Sequence, residues 1–210
     1  MEEEFKAFAS TCLQPLFTFA LIWSVAATVN RPGRRRFDAY LRFEMSANAH
    51  PQPLPTEGFV YDYCFDTTRR KWVPWMSTTD PYEHDPRLAF TEMIIPTLDT
   101  VRYTHLLDTL LRNGKHVLVT GPTGTGKSVN VTQHLQTGMP DSFVPLMFTF
   151  SAQTSANQTQ DIIDGKTEKR RKAVYGPPVG KQFVIFVDDV NMPQREVFFA
   201  QPPIELLRQW

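Results

Sequence analysis

The segment Gly121-Pro-Thr-Gly-Thr-Gly-Lys-Ser128 constrains this chain more than any other stretch of its length. It fits G-x-x-x-x-G-K-[ST], follows the short apolar run His116–Thr120, and leads into Ser128–Gln136, which reads as a helix. Glycines let such a loop wrap closely around phosphate oxygens, so that successive backbone N–H groups point inward at the anion. Lys127 then sets a point charge on the β- and γ-phosphates, and the Ser128 hydroxyl can ligate Mg²⁺. The helix that follows turns its positive N-terminal end toward the same phosphates. A glycine-rich turn can match this pattern by chance, but rarely with a strand before it and a helix after it. Gly121, Pro122, Thr123, Gly124, Thr125, Gly126, Lys127 and Ser128 are therefore expected to bind a nucleotide with Mg²⁺.

A second signal lies about sixty residues further on, where Phe183-Val-Ile-Phe-Val-Asp-Asp189 reads as a buried strand ending in two carboxylates. Asp188, at the strand tip, is placed to hold Mg²⁺ opposite Ser128. Asp189 is placed to orient or deprotonate an attacking water. A strand ending in an Asp-rich turn is common, and the functional reading gains its weight from Gly121–Ser128. Many hydrolytic sites of this kind carry Glu where this chain has Asp189. A carboxylate set back by one methylene can misplace the water, and an error of about 1 Å can cost roughly 100-fold in rate.

The rest of the chain falls into three zones. Residues 1–45 read as helical: Phe5–Val29 has few breakers apart from Pro15, and Phe37–Met45 continues after an Arg31-Pro-Gly-Arg turn. Residues 46–90 carry Pro51, Pro53, Pro55, Pro74, Pro81 and Pro86 and read as a connector. Within it, Gly58–Asp66 and Arg70–Trp75 form two short strands. Residues 91–210 become α/β. Their elements are a helix at Thr100–Arg112, strands at His116–Thr120, Phe143–Phe150 and Phe183–Val187, a helix at Thr154–Asp164, and another starting at Pro203–Trp210. Lys166–Lys181 is basic but reads as a solvated surface loop rather than a nucleic-acid contact.

Composition narrows the function classes. Lysine and arginine balance aspartate and glutamate at 22 each, so no global field argues for nucleic acid or an acidic membrane. Cys12 and Cys64 are far apart, without metal-type spacing, and fit buried thiols in a reducing compartment. His50, His84, His105, His116 and His134 are scattered, so no metal beyond Mg²⁺ is indicated. Ala7–Asn30 lacks charge, and Leu16–Val29 is apolar enough to raise the question of a membrane span. Its Ser, Thr and Gln residues and the acidic Glu2-Glu-Glu4 start favour a buried helix.

Several longer stretches resemble one family. They are Pro96–Leu111, Gly121–Ser128, Phe150-Ser-Ala-Gln-Thr-Ser-Ala-Asn-Gln-Thr-Gln160, Lys169–Pro178, Asp188-Asp-Val-Asn-Met-Pro193 and Gln201-Pro-Pro-Ile-Glu-Leu-Leu-Arg-Gln-Trp210. Together they resemble the third AAA+ module of an axonemal dynein heavy chain. Phe17–Ser24 and Arg36-Phe-Asp38 resemble the helical end of the second module. The resemblance implies an α/β P-loop NTPase (AAA+) parallel-sheet core, truncated, preceded by a lid-like helical segment and a Pro-rich connector. It implies an ATP site that modulates coupling within a minus-end-directed microtubule motor of cilia and flagella. The implied partners are neighbouring AAA+ modules, with intermediate and light chains and microtubules reached through the parent complex. The implied location is the axoneme, within the cytoplasmic cytoskeleton, without membrane or nucleic acid. The implied core is also short of its later strands, its lid and its sensor residues. An alternative follows: a truncated, non-catalytic remnant that acts only through protein interactions.

Overall fold

The computed structural model describes residues 2–48, 52–83, 86–87, 93–172 and 174–209. The chain divides into two units, Met1–Arg102 and Tyr103–Trp210.

The first unit opens with α1 (Glu2–Ser24), which runs through Pro15. A proline inside a helix removes a backbone hydrogen bond, yet here the ring is fully buried and packs as part of the apolar face with Cys12 and Ile22. The helix stops at Ser24, short of the expected Val29, with the Ser24 hydroxyl turned back onto Ala20 O at 2.6 Å. No helix among the described residues is long and apolar enough to cross a membrane.

Helix α2 (Arg31–Ala47) starts six residues before the expected Phe37, because Asn30 caps it. The Asn30 side chain accepts from Gly33 N at 3.0 Å, and Pro32 occupies the first turn, where its missing N–H does no harm. One turn on, Asp38 accepts from Val60 N at 2.7 Å and from Arg42 Nε at 3.2 Å. Arg42 also donates to Pro55 O and Gly58 O, so α2 holds the proline-broken segment that follows it.

That segment leads into an antiparallel hairpin, β1 (Tyr63–Asp66) and β2 (Lys71–Pro74), with Tyr63 opposite Pro74. Phe59, Tyr61, Tyr63 and Phe65 alternate as a longer strand would, but Val60–Asp62 winds into a 3₁₀ turn. Phe59 N donates to the Asp62 carboxylate and closes that turn, which shortens the strand. Trp75 is fully buried beyond β2, donates from Nε1 to Tyr61 O at 3.0 Å, and meets the rings of Phe19 and Trp23. Burying a side chain of this kind contributes roughly 1.5–3 kcal/mol, and the aromatic cluster joins α1, α2 and the hairpin into one core.

Helix α3 (Leu98–Arg112) begins in the first unit and ends in the second. After the phosphate loop comes α4 (Lys127–Gln133), which widens into a π turn over His134–Gly138. Strand β3 (Phe143–Thr149) pairs in parallel with β6 (Gln182–Asp188), from Phe143 opposite Gln182 to Thr149 opposite Asp188. The crossover between them holds α5 (Ala156–Asp164), whose Ser155 and Gln158 form a reciprocal capping box. Helix α6 (Pro202–Leu207) ends the described fold; Trp210, where the expected last helix finished, lies outside the described residues. The core of this unit is built on Leu107, Val131 and Leu135, with Met147, Val184 and Phe186 packed against them.

Three expectations need correction. His116–Thr120 is not a strand of the sheet: it joins no ladder among the described residues, and Leu118 is 76% exposed. An apolar, β-prone run needs an adjacent edge to pair with, and no such pairing forms. Among the described residues strand β6 consequently pairs with β3 alone, and its side chains from Phe183 on are half-buried rather than buried on both faces. Finally, Lys166–Lys181 is not a plain loop. It contains a hairpin, β4 (Glu168–Arg171) against β5 (Val174–Gly176), with a bulge between Lys169 and Arg171. Arg170 donates to Pro177 O and Pro178 O, which gives the hairpin its anchor.

Candidate nucleotide site

The two motifs converge within the second unit. Strand β6 delivers Asp188 to its C-terminal tip, and α4 presents Ser128 in its first turn. Ser128 Oγ donates to Asp188 Oδ1 at 2.9 Å, across 60 residues of sequence. Asp188 Oδ1 also accepts the Asp189 backbone N–H at 3.0 Å. A hydroxyl and a carboxylate in contact form an oxygen-donor pair of the kind a small hard cation takes. Among the described residues no cluster of three or more His, Cys, Asp and Glu forms a separate metal cage.

The loop itself is held open by two glycines in the left-handed region, Gly124 at φ 77° and Gly126 at φ 76°. Gly126 is also the residue that launches α4. Any side chain at either position would be strained. Thr125 Oγ1 donates to Pro122 O at 2.9 Å and braces the turn. Lys127 Nζ donates to Gly121 O at 3.0 Å and Pro122 O at 2.5 Å, and lies 3.4 Å from Thr125 Oγ1. The lysine thus spends its donors on the loop's own carbonyls. Thr123 lies at the exposed rim of the loop.

Asp189 sits beside this pair but differs from it in two ways. It is exposed, and its backbone is left-handed at φ 50°. Aspartate tolerates this conformation better than longer residues do, because its short polar side chain bonds locally. Its carbonyl accepts Met192 N at 2.9 Å, which makes the turn that carries the chain away from β6.

A cleft of about 1750 Å³ runs over these groups and includes Thr120, Gly121, Lys127, Ser128, Asp188 and Asp189 in its lining. Ligand pockets usually enclose ~300–1000 Å³, so this one is wider than a small molecule alone requires. The unpaired His116–Thr120 segment and the apolar residues of β6 line it as well.

Sequence reasoning did not single out His134, which α4 carries into contact with α3. His134 Nε2 lies 3.2 Å from Asp108 Oδ1, and the ring is buried. Burial pushes its imidazole below the ordinary value; Asp108 partly opposes this and Arg112 adds to it. A lone histidine among scattered ones carries no signal in sequence. The i, i+4 spacing of Asp108 and Arg112 on α3 was the only hint available.

Comparison with known proteins places this geometry. A family described as the P-loop containing dynein motor region matches residues 82–210, and the dynein heavy chain AAA lid domain matches residues 2–77. The chain belongs to the dynein heavy chain family. It is 44% identical to human dynein axonemal heavy chain 1 over 94% of its own length and 5% of that protein's. Mouse dynein axonemal heavy chain 12 matches at 44% over 94% of this chain and 7% of the relative. Human dynein axonemal heavy chain 3 matches at 45%, again over 94% of this chain and 5% of the relative. The chain therefore spans about a twentieth of the length of these relatives. Its second unit is a P-loop AAA+ motor region with a partial parallel sheet.

Proposed function

We propose that this chain is an ATP-binding AAA+ module of a dynein heavy chain, made of the end of a second module and the first part of a third. In this reading residues 1–45 are lid-like, 46–90 a connector, and 91–210 the ATPase core. The observation that carries it is the hydrogen bond between Ser128 and Asp188, which joins the two nucleotide motifs at a strand tip. Gly121, Pro122, Thr123, Gly124, Thr125 and Gly126 wrap the phosphates with backbone N–H groups, and Lys127 neutralises the β- and γ-oxygens. Binding requires Lys127 to leave the carbonyls of Gly121 and Pro122. Ser128 and Asp188 would hold Mg²⁺, which when bound supplies charge neutralisation at the phosphate oxygens. Asp189 orients the attacking water, and its short reach makes hydrolysis slow. The site accordingly serves as a regulatory one within a minus-end-directed ciliary motor. Neighbouring modules, intermediate and light chains and microtubules are engaged through the parent complex, in the axoneme.

Titration of a fluorescent ATP analogue with Mg²⁺ tests the site. Binding is expected in the 210-residue chain and lost in Lys127→Ala, with circular dichroism unchanged. Equal binding by both proteins would sink the assignment. The second reading, a non-catalytic remnant, draws on the unpaired and exposed His116–Thr120 segment beside the loop. Single-turnover hydrolysis separates the two: a slow Lys127-dependent release of phosphate supports the first, and none at all supports the second.

A further inference from the structure

Helix α4 is fastened at the end away from the phosphate loop. His134, the first residue of the π turn, is buried, as are Leu107 of α3, Val131 of α4 and Leu135 of the turn, and its Nε2 lies 3.2 Å from Asp108 Oδ1. Asp108 also accepts Arg112 Nε through both carboxylate oxygens, at 2.8 and 2.7 Å. Arg112 Nη2 reaches on to Gly138 O at 3.5 Å, at the close of the π turn. On its other side the ring meets main chain: a Cβ placed at Gly138 would stand 2.5 Å from His134 Nδ1. The imidazole is thus trapped between a carboxylate of α3 and the backbone of its own turn.

Packing alone does not account for this residue. A polar ring placed among leucine and valine is unfavourable unless it is paired. Nε2 is within reach of Asp108, yet it makes no well-aligned hydrogen bond. A leucine would fill the space without that penalty. What a histidine adds is a polar contact at 3.2 Å between the turn that ends α4 and the Asp108 carboxylate of α3. Lys127 and His134 are seven residues apart on one continuous helical run, roughly 10 Å at 1.5 Å per residue. A short rod fixed at one end has its other end placed as well.

We propose that Asp108, Arg112 and His134 form a latch that sets the position of Lys127 and Ser128, with His134 acting as a positioning residue for the phosphate loop. The proposal rests on the nucleotide-site reading above. The test uses the 210-residue chain and three variants: His134→Leu, which keeps bulk without an N–H; His134→Gln, which keeps a donor at similar reach; and Asp108→Asn, on the rim of the cluster. Two readouts are taken: affinity for a fluorescent ATP analogue with Mg²⁺, and amide hydrogen exchange over 121–133 in the ligand-free chain. His134→Leu and Asp108→Asn are expected to weaken affinity about tenfold, within the usual range of coupling between sites. Both should speed exchange at Gly121–Ser128 while β3 and β6 keep their protection, and His134→Gln should restore most of both. If the parent chain binds no nucleotide, the site reading fails, and the exchange comparison still decides the latch. Unchanged exchange at Gly121–Ser128 in folded His134→Leu and Asp108→Asn overturns the latch. So does equal behaviour of the Leu and Gln variants, which marks a packing role alone.

Discussion

At the scale of single residues, Asp189 holds two demands in tension. Its left-handed backbone favours a short polar side chain, whereas the water-positioning role proposed for it favours a longer carboxylate. Asp189→Glu is therefore expected to raise single-turnover hydrolysis, by as much as ~100-fold if the lost reach is the whole deficit. The same change should lower stability by about 1 kcal/mol through backbone strain, with nucleotide affinity unchanged. A rate equal to that of the parent would show that reach is not what limits it. His134 supplies a pH prediction. Burial places its folded value below the ordinary 6.5, so the unfolded chain takes up the proton more readily. The contribution of His134 to stability is then complete above about pH 6.5 and drains away as the pH falls below it. Melting followed from pH 7.5 to 5.5 should show a decline that is flatter in His134→Gln. Identical slopes would remove His134 as the source.

At the scale of elements, the hairpin joining β1 to β2 turns through Arg70, an exposed arginine at φ 51°. A side chain there is strained where glycine is not, so Arg70→Gly should stabilise the first unit by about 0.5–1 kcal/mol. Denaturant midpoints would check this, and a fall in midpoint would contradict it. Much of this level was legible in sequence. Helices α3 and α5 and strands β3 and β6 lie within a few residues of where apolar spacing puts them, because each answers to its own pattern. The meeting of Ser128 with Asp188 was legible too, since each motif makes sense only with the other. What escaped depends on partners. His116–Thr120 reads as a strand on its own residues, but strand formation is decided by a neighbouring edge. The hairpin β4–β5 was hidden because Glu168-Lys-Arg-Arg171 has no alternation to announce it. His134 was hidden because a contact between two helices leaves no local trace.

At the scale of the whole molecule, the two units carry cores of unequal weight. Trp23, Trp72 and Trp75 cluster in the first, with Tyr61, Tyr63 and Phe65 around them. The second buries smaller side chains, Leu107, Val131, Leu135, Leu146 and Ile163 with Phe150, while Val197, Phe198 and Phe199 stand 78–90% exposed. Urea unfolding is therefore expected in two stages, with helical circular dichroism beginning to fall before tryptophan fluorescence does. Coincident curves would refute the separation. The sheet of the second unit adds a consequence in time. Closing β3 onto β6 joins residues about forty apart, a slow event by the standards of local contacts. Until it closes, and afterwards on the side left unpaired among the described residues, β6 offers an open ladder to any extended chain it meets. Folding of this unit is thus a race between one internal closure and every external collision, and dilution decides the winner.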